Sequence, residues 1–175
     1  MSAAHKLDLT SLSAASREQF VAALGGVFEH SPWIAEHAYS ARPFASVDAL
    51  HAAMVAAVAA AAHDVQLTLI RAHPELAGKE AQQGTMTADS VGEQASAGLD
   101  RCTPDELVRL REGNRAYRDK FGFPFVMAVK GRSRDEILAA LSARLAHSRD
   151  EEFARCIAEI GKIARLRLTA LLPDG

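Results

Sequence analysis

An all-α fold, a single-domain helical bundle of about seven to nine helices with one extended connecting segment near residues 123–129, is what this sequence predicts. Three observations lead there. The hydrophobic fraction is 49 % but only 6 % of residues are aromatic, and alanine, the best helix former and a poor filler of sheet surfaces, makes up much of the remainder. Capping residues recur ahead of apolar positions spaced three and four apart. One stretch alone looks strand-like, and a lone strand has nothing to pair with. A chain of 175 residues suits one hydrophobic core, so 1–175 is expected to be one domain.

The elements follow in order. Ser16 with Gln19 makes a capping box ahead of Phe20, Val21 and Leu24, and Gly25-Gly26 weakens or ends that helix. Ser31-Pro32 places a capping side chain before a proline at the first helical position. Ser46 caps a long segment through Leu50, Met54, Val55 and Val58, with a break around His63-Asp64. The helix that restarts there carries Leu67, Leu69 and Ile70 and must stop near Pro74. Residues 75–86, charged and rich in Gly and Gln, read as a loop, and Thr87 opens a short helix to about Ala97. Thr103-Pro104-Asp105-Glu106 unites cap, proline and acidic third residue, opening a helix to about Phe121 that Gly122 ends. Ser133 with Glu136, and Ser148 with Glu151, open the last two, the final one with Phe153, Ile157, Ile160, Ile163, Ala164 and Leu168 at helical spacing. Between Gly122 and Gly131, Phe123-Pro124-Phe125-Val126-Met127-Ala128-Val129 reads as extended chain whose backbone groups are open to a ligand.

Composition excludes several function classes. Twenty basic against 22 acidic residues, formal charge −2, leave no basic surplus for nucleic acid. The apolar run Ala52 to Ala62 is too short to span a bilayer, and no apolar h-region follows Met1-Ser2-Ala3-Ala4-His5-Lys6, so no membrane association is expected and the cytoplasm is the expected location. The C-terminal Leu-Leu-Pro-Asp-Gly is no peroxisomal or retention tag. Cys102 and Cys156 form no CxxC pair, and Cys156 falls on an apolar helical stripe as a core residue. Seven histidines raise the question of a metal, but the spacings of metal sites are missing and none is expected.

Three places carry candidate chemistry. His73-Pro74 puts an imidazole at a helix end, where it serves either as a proton carrier near neutral pH or as a cation at the helix C-terminus. Ser90, Glu93, Gln94 and Ala97 share one helix face, either the lining of a polar pocket or a solvated surface. Gly92 within that helix marks either a close approach or an ordinary substitution, and no function is attached to it. On the last helix Arg165 and Arg167 point to different faces; Arg167 either lays its stem over apolar surface or offers its fork to an anionic or carbonyl-rich ligand.

Six motifs in order resemble one family. They are Glu29-His30-Ser31-Pro32-Trp33 following Phe20 to Phe28, Arg71-Ala72-His73-Pro74-Glu75-Leu76, and Ser90-Val91-Gly92-Glu93-Gln94. Then come Asn114-Arg115-Ala116-Tyr117 with Lys120-Phe121-Gly122-Phe123-Pro124-Phe125, Lys130-Gly131-Arg132, and Ile163-Ala164-Arg165-Leu166-Arg167-Leu168. From about residue 8 to 172 the chain resembles the 2-oxo-4-hydroxy-4-carboxy-5-ureidoimidazoline (OHCU) decarboxylases. The resemblance implies an all-α, homodimeric lyase of urate degradation that works without metal or organic cofactor and delivers (S)-allantoin from a small-molecule ureidoimidazoline carboxylate. It puts His73 and Glu93 at the catalytic centre. It assigns substrate contacts to Pro74, Ser90, Gln94, Arg167 and the backbone of Phe125, Val126, Met127, Ala128 and Val129. Glu93 is expected to fix the tautomer and orientation of His73. Two other readings share the scaffold: a cofactor-free hydrolase or isomerase of a related ureide using the same His73-Glu93 pair, and a helical binding module in which Ser90, Glu93 and Gln94 are only a wet face.

Overall fold

A computed structural model describes residues 7–173; the readings of the first six residues and of Asp174-Gly175 lie outside the described residues. Its α-helices are α1 Leu9–Ala14, α2 Arg17–Leu24, α3 Trp33–Ala38, α4 Val47–Ala60, α5 His63–Arg71, α6 Lys79–Gln83, α7 Ala88–Ser96, α8 Pro104–Phe121, α9 Arg134–Arg144 and α10 Arg149–Leu171. Short 3-10 turns sit at Tyr39–Ala41 and Leu99–Arg101, and no strand forms among the described residues. The chain is all-α, with Phe123 to Val129 crossing between α8 and α9 in neither helix nor strand.

Local chemistry explains most boundaries. The capping boxes of Ser16 with Gln19 and Ser133 with Glu136 are both closed in both directions. Ser46, Thr87 and Thr103 each accept from the amide three residues on. At Ser148 the hydroxyl takes the Glu151 amide while the Glu151 carboxylate takes the Ser148 amide. Gly122 ends α8 at φ 80°, a left-handed conformation open to glycine at little cost. These bonds satisfy donors and acceptors that a helix end would otherwise leave bare.

Two expectations need correcting, and two open points are settled. Ser31 does not cap α3: its hydroxyl donates to the Glu29 carbonyl at 2.8 Å, and Pro32 precedes the helix without a side-chain cap. Residues 75–86 are not all loop, because α6 forms there; five residues are too few to show an apolar period, and Gly84 closes the helix at φ 67°. Gly92 serves no close approach, since a Cβ there would meet open space. Gly92→Ala is therefore expected to stabilise the protein by about 0.5–1 kcal/mol through the unfolded chain's lost freedom, read from the urea midpoint. With α1 and α6, both short and unforeseen, the described residues form ten α-helices, close to the expected seven to nine.

The chain divides into two compact units, one made from residues up to Gln66 together with those from Gly161 onward, the other from Leu67–Ile160. In the first, Phe20 lies edge-on to Tyr39 at 5.4 Å and stacks with Phe44 at 6.1 Å, over buried Leu24, Ile34, Leu50 and Met54. In the second, Tyr117 gathers Phe121, Phe123 and Phe125 at 4.5, 6.0 and 5.4 Å between ring centroids. Because these aromatics come from the end of α8 and from the crossing segment, they hold the start of that segment in the core. Gly113 lets α9 approach α8, for a Cβ there would sit 2.5 Å from a methyl of buried Leu141.

Candidate active site

His73 follows the end of α5. Its amide donates to the Ile70 carbonyl at 3.2 Å, while the Arg71 guanidinium reaches the Gly122 carbonyl through Nε at 3.1 Å and Nη2 at 2.9 Å. The His73 side chain is buried, and its Nδ1 lies 3.0 Å from the Leu69 carbonyl oxygen. A carbonyl only accepts, so Nδ1 carries a hydrogen, and in the neutral ring the lone pair is at Nε2. The helix backbone thus favours one tautomer of the ring.

The loop after His73 is under conformational load and is pinned accordingly. Ala77 adopts φ 49°, a left-handed conformation that costs a non-glycine residue free energy. A Cβ on Gly78 would be 2.7 Å from that of Glu75, so the tight turn needs glycine. Two side chains hold the loop. Gln94 of α7 accepts from the Ala77 amide through Oε1 at 2.9 Å, and Asn114 of α8 donates to the Leu76 carbonyl at 3.0 Å. The Glu75 carboxylate pairs with Arg118. Gln94 Nε2 lies 3.2 Å from the Met86 sulfur and 3.5 Å from the Glu75 carbonyl, weak partners that a better acceptor would displace. The Asn114 Oδ1 is buried with no hydrogen-bond partner among the described residues.

The α7 stripe is not a solvated face. Ser90, Gln94 and Ala97 are buried and Glu93 is half-buried. The structure therefore joins Gln94 directly to the turn that follows His73 and Pro74.

Residues 125–129 are tied down by a buried polar cluster. Arg144 of α9 donates from Nη1 to the Val126 carbonyl at 2.7 Å and from Nε to Glu152 at 2.7 Å, and its guanidinium lies 4.4 Å from the Phe125 ring centroid. Glu152, fully buried, also accepts from the Tyr117 hydroxyl at 2.5 Å and lies 2.8 Å from His147 Nδ1. Cys156, one turn along α10, lies 3.3 Å from the Tyr117 oxygen and is fully buried, as its apolar stripe predicts. Burial pushes the Tyr117 hydroxyl far above its ordinary range, with Cys156 adding to the effect. Burial likewise raises the Cys156 thiol, so it stays protonated. Burial would lower the Arg144 guanidinium, but Cys156 and Glu152 beside it hold it above its usual value. Farther along, the Ala128 amide donates to Glu159 Oε1 at 3.4 Å.

Arg167 belongs to the first unit. Its guanidinium is buried, with Nη2 2.8 Å from Glu29 Oε1 and Nη1 3.4 Å from the Val27 carbonyl. Its fork is thus held by a buried carboxylate and a backbone carbonyl of the protein itself. Arg165 instead meets Asp48 at the surface, at 2.9 Å.

Sequence reasoning did not single out Glu29, Asn114, Arg144, Glu152 or Glu159. One signal for two of them, Glu152 and Glu159, was available. Glu152, Cys156, Glu159, Ile163 and Arg167 recur every three to four residues along α10, in step with its apolar stripe. Charges in that register are buried and paired. Among the described residues no three His, Cys, Asp or Glu side chains converge as a metal ion would need.

Comparison with known proteins agrees with this architecture. The OHCU decarboxylase family profile matches residues 13–169. The 2-oxo-4-hydroxy-4-carboxy-5-ureidoimidazoline decarboxylase of Halalkalicoccus jeotgali is 45 % identical over 166 residues, 95 % of this chain and 92 % of that protein. The uric acid degradation bifunctional protein PucL of Bacillus subtilis is 44 % identical over 151 residues, 86 % of this chain but 30 % of PucL. The crystal structure of (S)-allantoin synthase superimposes with a TM-score of 0.77 at 30 % identity, over 95 % of this chain, which spans about half (54 %) of that one. A profile match over residues 13–169, running through both units, together with a relative 45 % identical over 95 % of the chain, makes this chain a member of the OHCU decarboxylase family.

Proposed function

We propose that the chain decarboxylates OHCU to (S)-allantoin in urate degradation, with His73 and Glu93 at the reacting centre and both units acting as one domain. The family match supports the reaction, and one observation supports the residue roles: a buried imidazole whose Nδ1 hydrogen is held by a backbone carbonyl, which puts the proton-accepting lone pair of the neutral ring on Nε2.

The substrate bears a carboxylate and a hydroxyl on one ring carbon. When the bond to the carboxylate breaks, carbon dioxide leaves and the electron pair passes into the unsaturated ring. Nε2 of His73 takes the hydroxyl proton. The resulting imidazolium keeps its Nδ1–H on the Leu69 carbonyl, so no reorganisation accompanies the transfer. Glu93 fixes the orientation of the ring and steadies that positive charge. A proton returned to one face of the ring gives one enantiomer. Arg167, stiffened by Glu29, takes the carboxylate; Ser90, the free capacity of Gln94 Nε2, the Pro74 turn and the backbone of 125–129 hold the ureide. Such preorganised donors act on charge that develops only as the bond breaks.

The protein works as a homodimer in the cytoplasm. The family resemblance supports the dimer, and the two free thiols, Cys102 and Cys156, suit a reducing compartment. A sedimentation mass of a single 18.7 kDa chain would remove the dimer. The function is tested by adding the protein to substrate freshly generated from urate by an oxidase and a hydrolase. Carbon dioxide release is accelerated and the allantoin is optically active. Unchanged spontaneous decay, giving racemic product, would leave only a binding module; faster loss of substrate without carbon dioxide would indicate a hydrolase or isomerase.

A further inference from the structure

The Arg144–Glu152 pair looks at first like core structure, but its hydrogen bond to Val126 has a directional consequence. A planar trans peptide points its C=O and the following N–H in opposite directions. With the Val126 carbonyl seized by Arg144 at 2.7 Å, the Met127 amide must point away from the buried cluster. The same rule applies one peptide on: the Ala128 amide on Glu159 turns the Met127 carbonyl away from Glu159. Among the described residues, neither the Met127 N–H nor its C=O has a hydrogen-bond partner, and Met127 and Ala128 are half-buried while Phe125, Val126 and Val129 are buried. A donor and an acceptor on one residue form the complement of an amide or ureide edge.

We propose that Arg144, fixed by Glu152, and Glu159 are positioning residues for substrate recognition, setting the Met127 peptide groups outward so that they pair with the ureide edge of the substrate. The inference rests on the decarboxylase reading given above and adds to it the side chains that make the 125–129 backbone a recognition element. Glu152 is needed because the guanidinium fork must be aimed: its Nε is spent on the carboxylate so that Nη1 addresses Val126.

The test is the double variant Arg144→Met, Glu152→Met, which removes both charges together and leaves no ion buried alone. It is expected to stay helical and to melt cooperatively, to show KM raised about tenfold with kcat changed much less, and to bind (S)-allantoin more weakly by calorimetry. A merely structural role would lower the melting temperature and leave KM unchanged. The second pair is Glu159→Ala and Glu159→Gln. Glutamine keeps an acceptor for the Ala128 amide and restores KM; alanine does not. The proposal is overturned if KM stays within twofold of the wild type in both the double variant and Glu159→Ala, with His73→Ala inactive on the same substrate preparation. If the double variant does not fold, the Glu159 pair decides alone. A wild-type protein that releases no carbon dioxide would overturn the decarboxylase reading itself, and this inference with it.

Discussion

Replacing His73 by alanine is expected to lower the rate of carbon dioxide release by about 10²–10⁴-fold, the usual worth of a positioned acid or base. The loss should fall on kcat, because the imidazole acts on a proton in flight rather than on the bound substrate as a whole. Far-UV circular dichroism should remain helical, since His73 lies beyond the last residue of α5. His73→Asn separates two contributions: an amide can still donate to the Leu69 carbonyl but offers no base, so it should be as inactive as alanine. Turnover within tenfold of the wild type in either variant would remove His73 from the chemistry and return it to a helix-end cation.

Glu152→Ala is expected to cost about 3–5 kcal/mol of stability, the usual penalty for breaking a buried ion pair from one side. The carboxylate is fully buried and accepts from both Arg144 and Tyr117. Without it the Arg144 charge stays in the core with the Val126 carbonyl and the Cys156 sulfur as partners. Against a total of about 5–15 kcal/mol for a typical domain, this is a large fraction. Urea unfolding followed by circular dichroism measures it. His147→Ala, which removes the half-exposed partner of the same carboxylate, should cost about 1 kcal/mol or less because solvent screens that pair. Equal losses in the two variants would show that the cluster does not work as a buried pair.

These expectations bear on what can be read without coordinates. Thr103, Ser133 and Gly122 announce helix ends because capping joins residues three or four apart, and such bonds are written wholly in local sequence. His73-Pro74 was legible for the same reason: proline forbids the helix to continue, whatever lies elsewhere in the chain. The short helices α1 and α6 were not legible, since five or six residues cannot display a 3.6-residue period and owe their form to their neighbours. Within the site, spacing placed Ser90, Glu93 and Gln94 on one face but left open whether that face was wet.

By itself, then, the amino-acid order determined that the chain is helical, where most helices begin and stop, and which family its motifs join. Only the tertiary structure decided that the α7 stripe turns inward, that the His73 ring meets the Leu69 carbonyl, and that Arg167 and Arg144 each pair with a buried carboxylate. Arg144 meets Glu152 across a turn, and Arg167 meets Glu29 138 positions away in sequence. The physical reason is one of range. Caps and periods are satisfied within one turn of backbone, whereas a buried charge is tolerable only when packing delivers a partner, and no local pattern names that partner in advance.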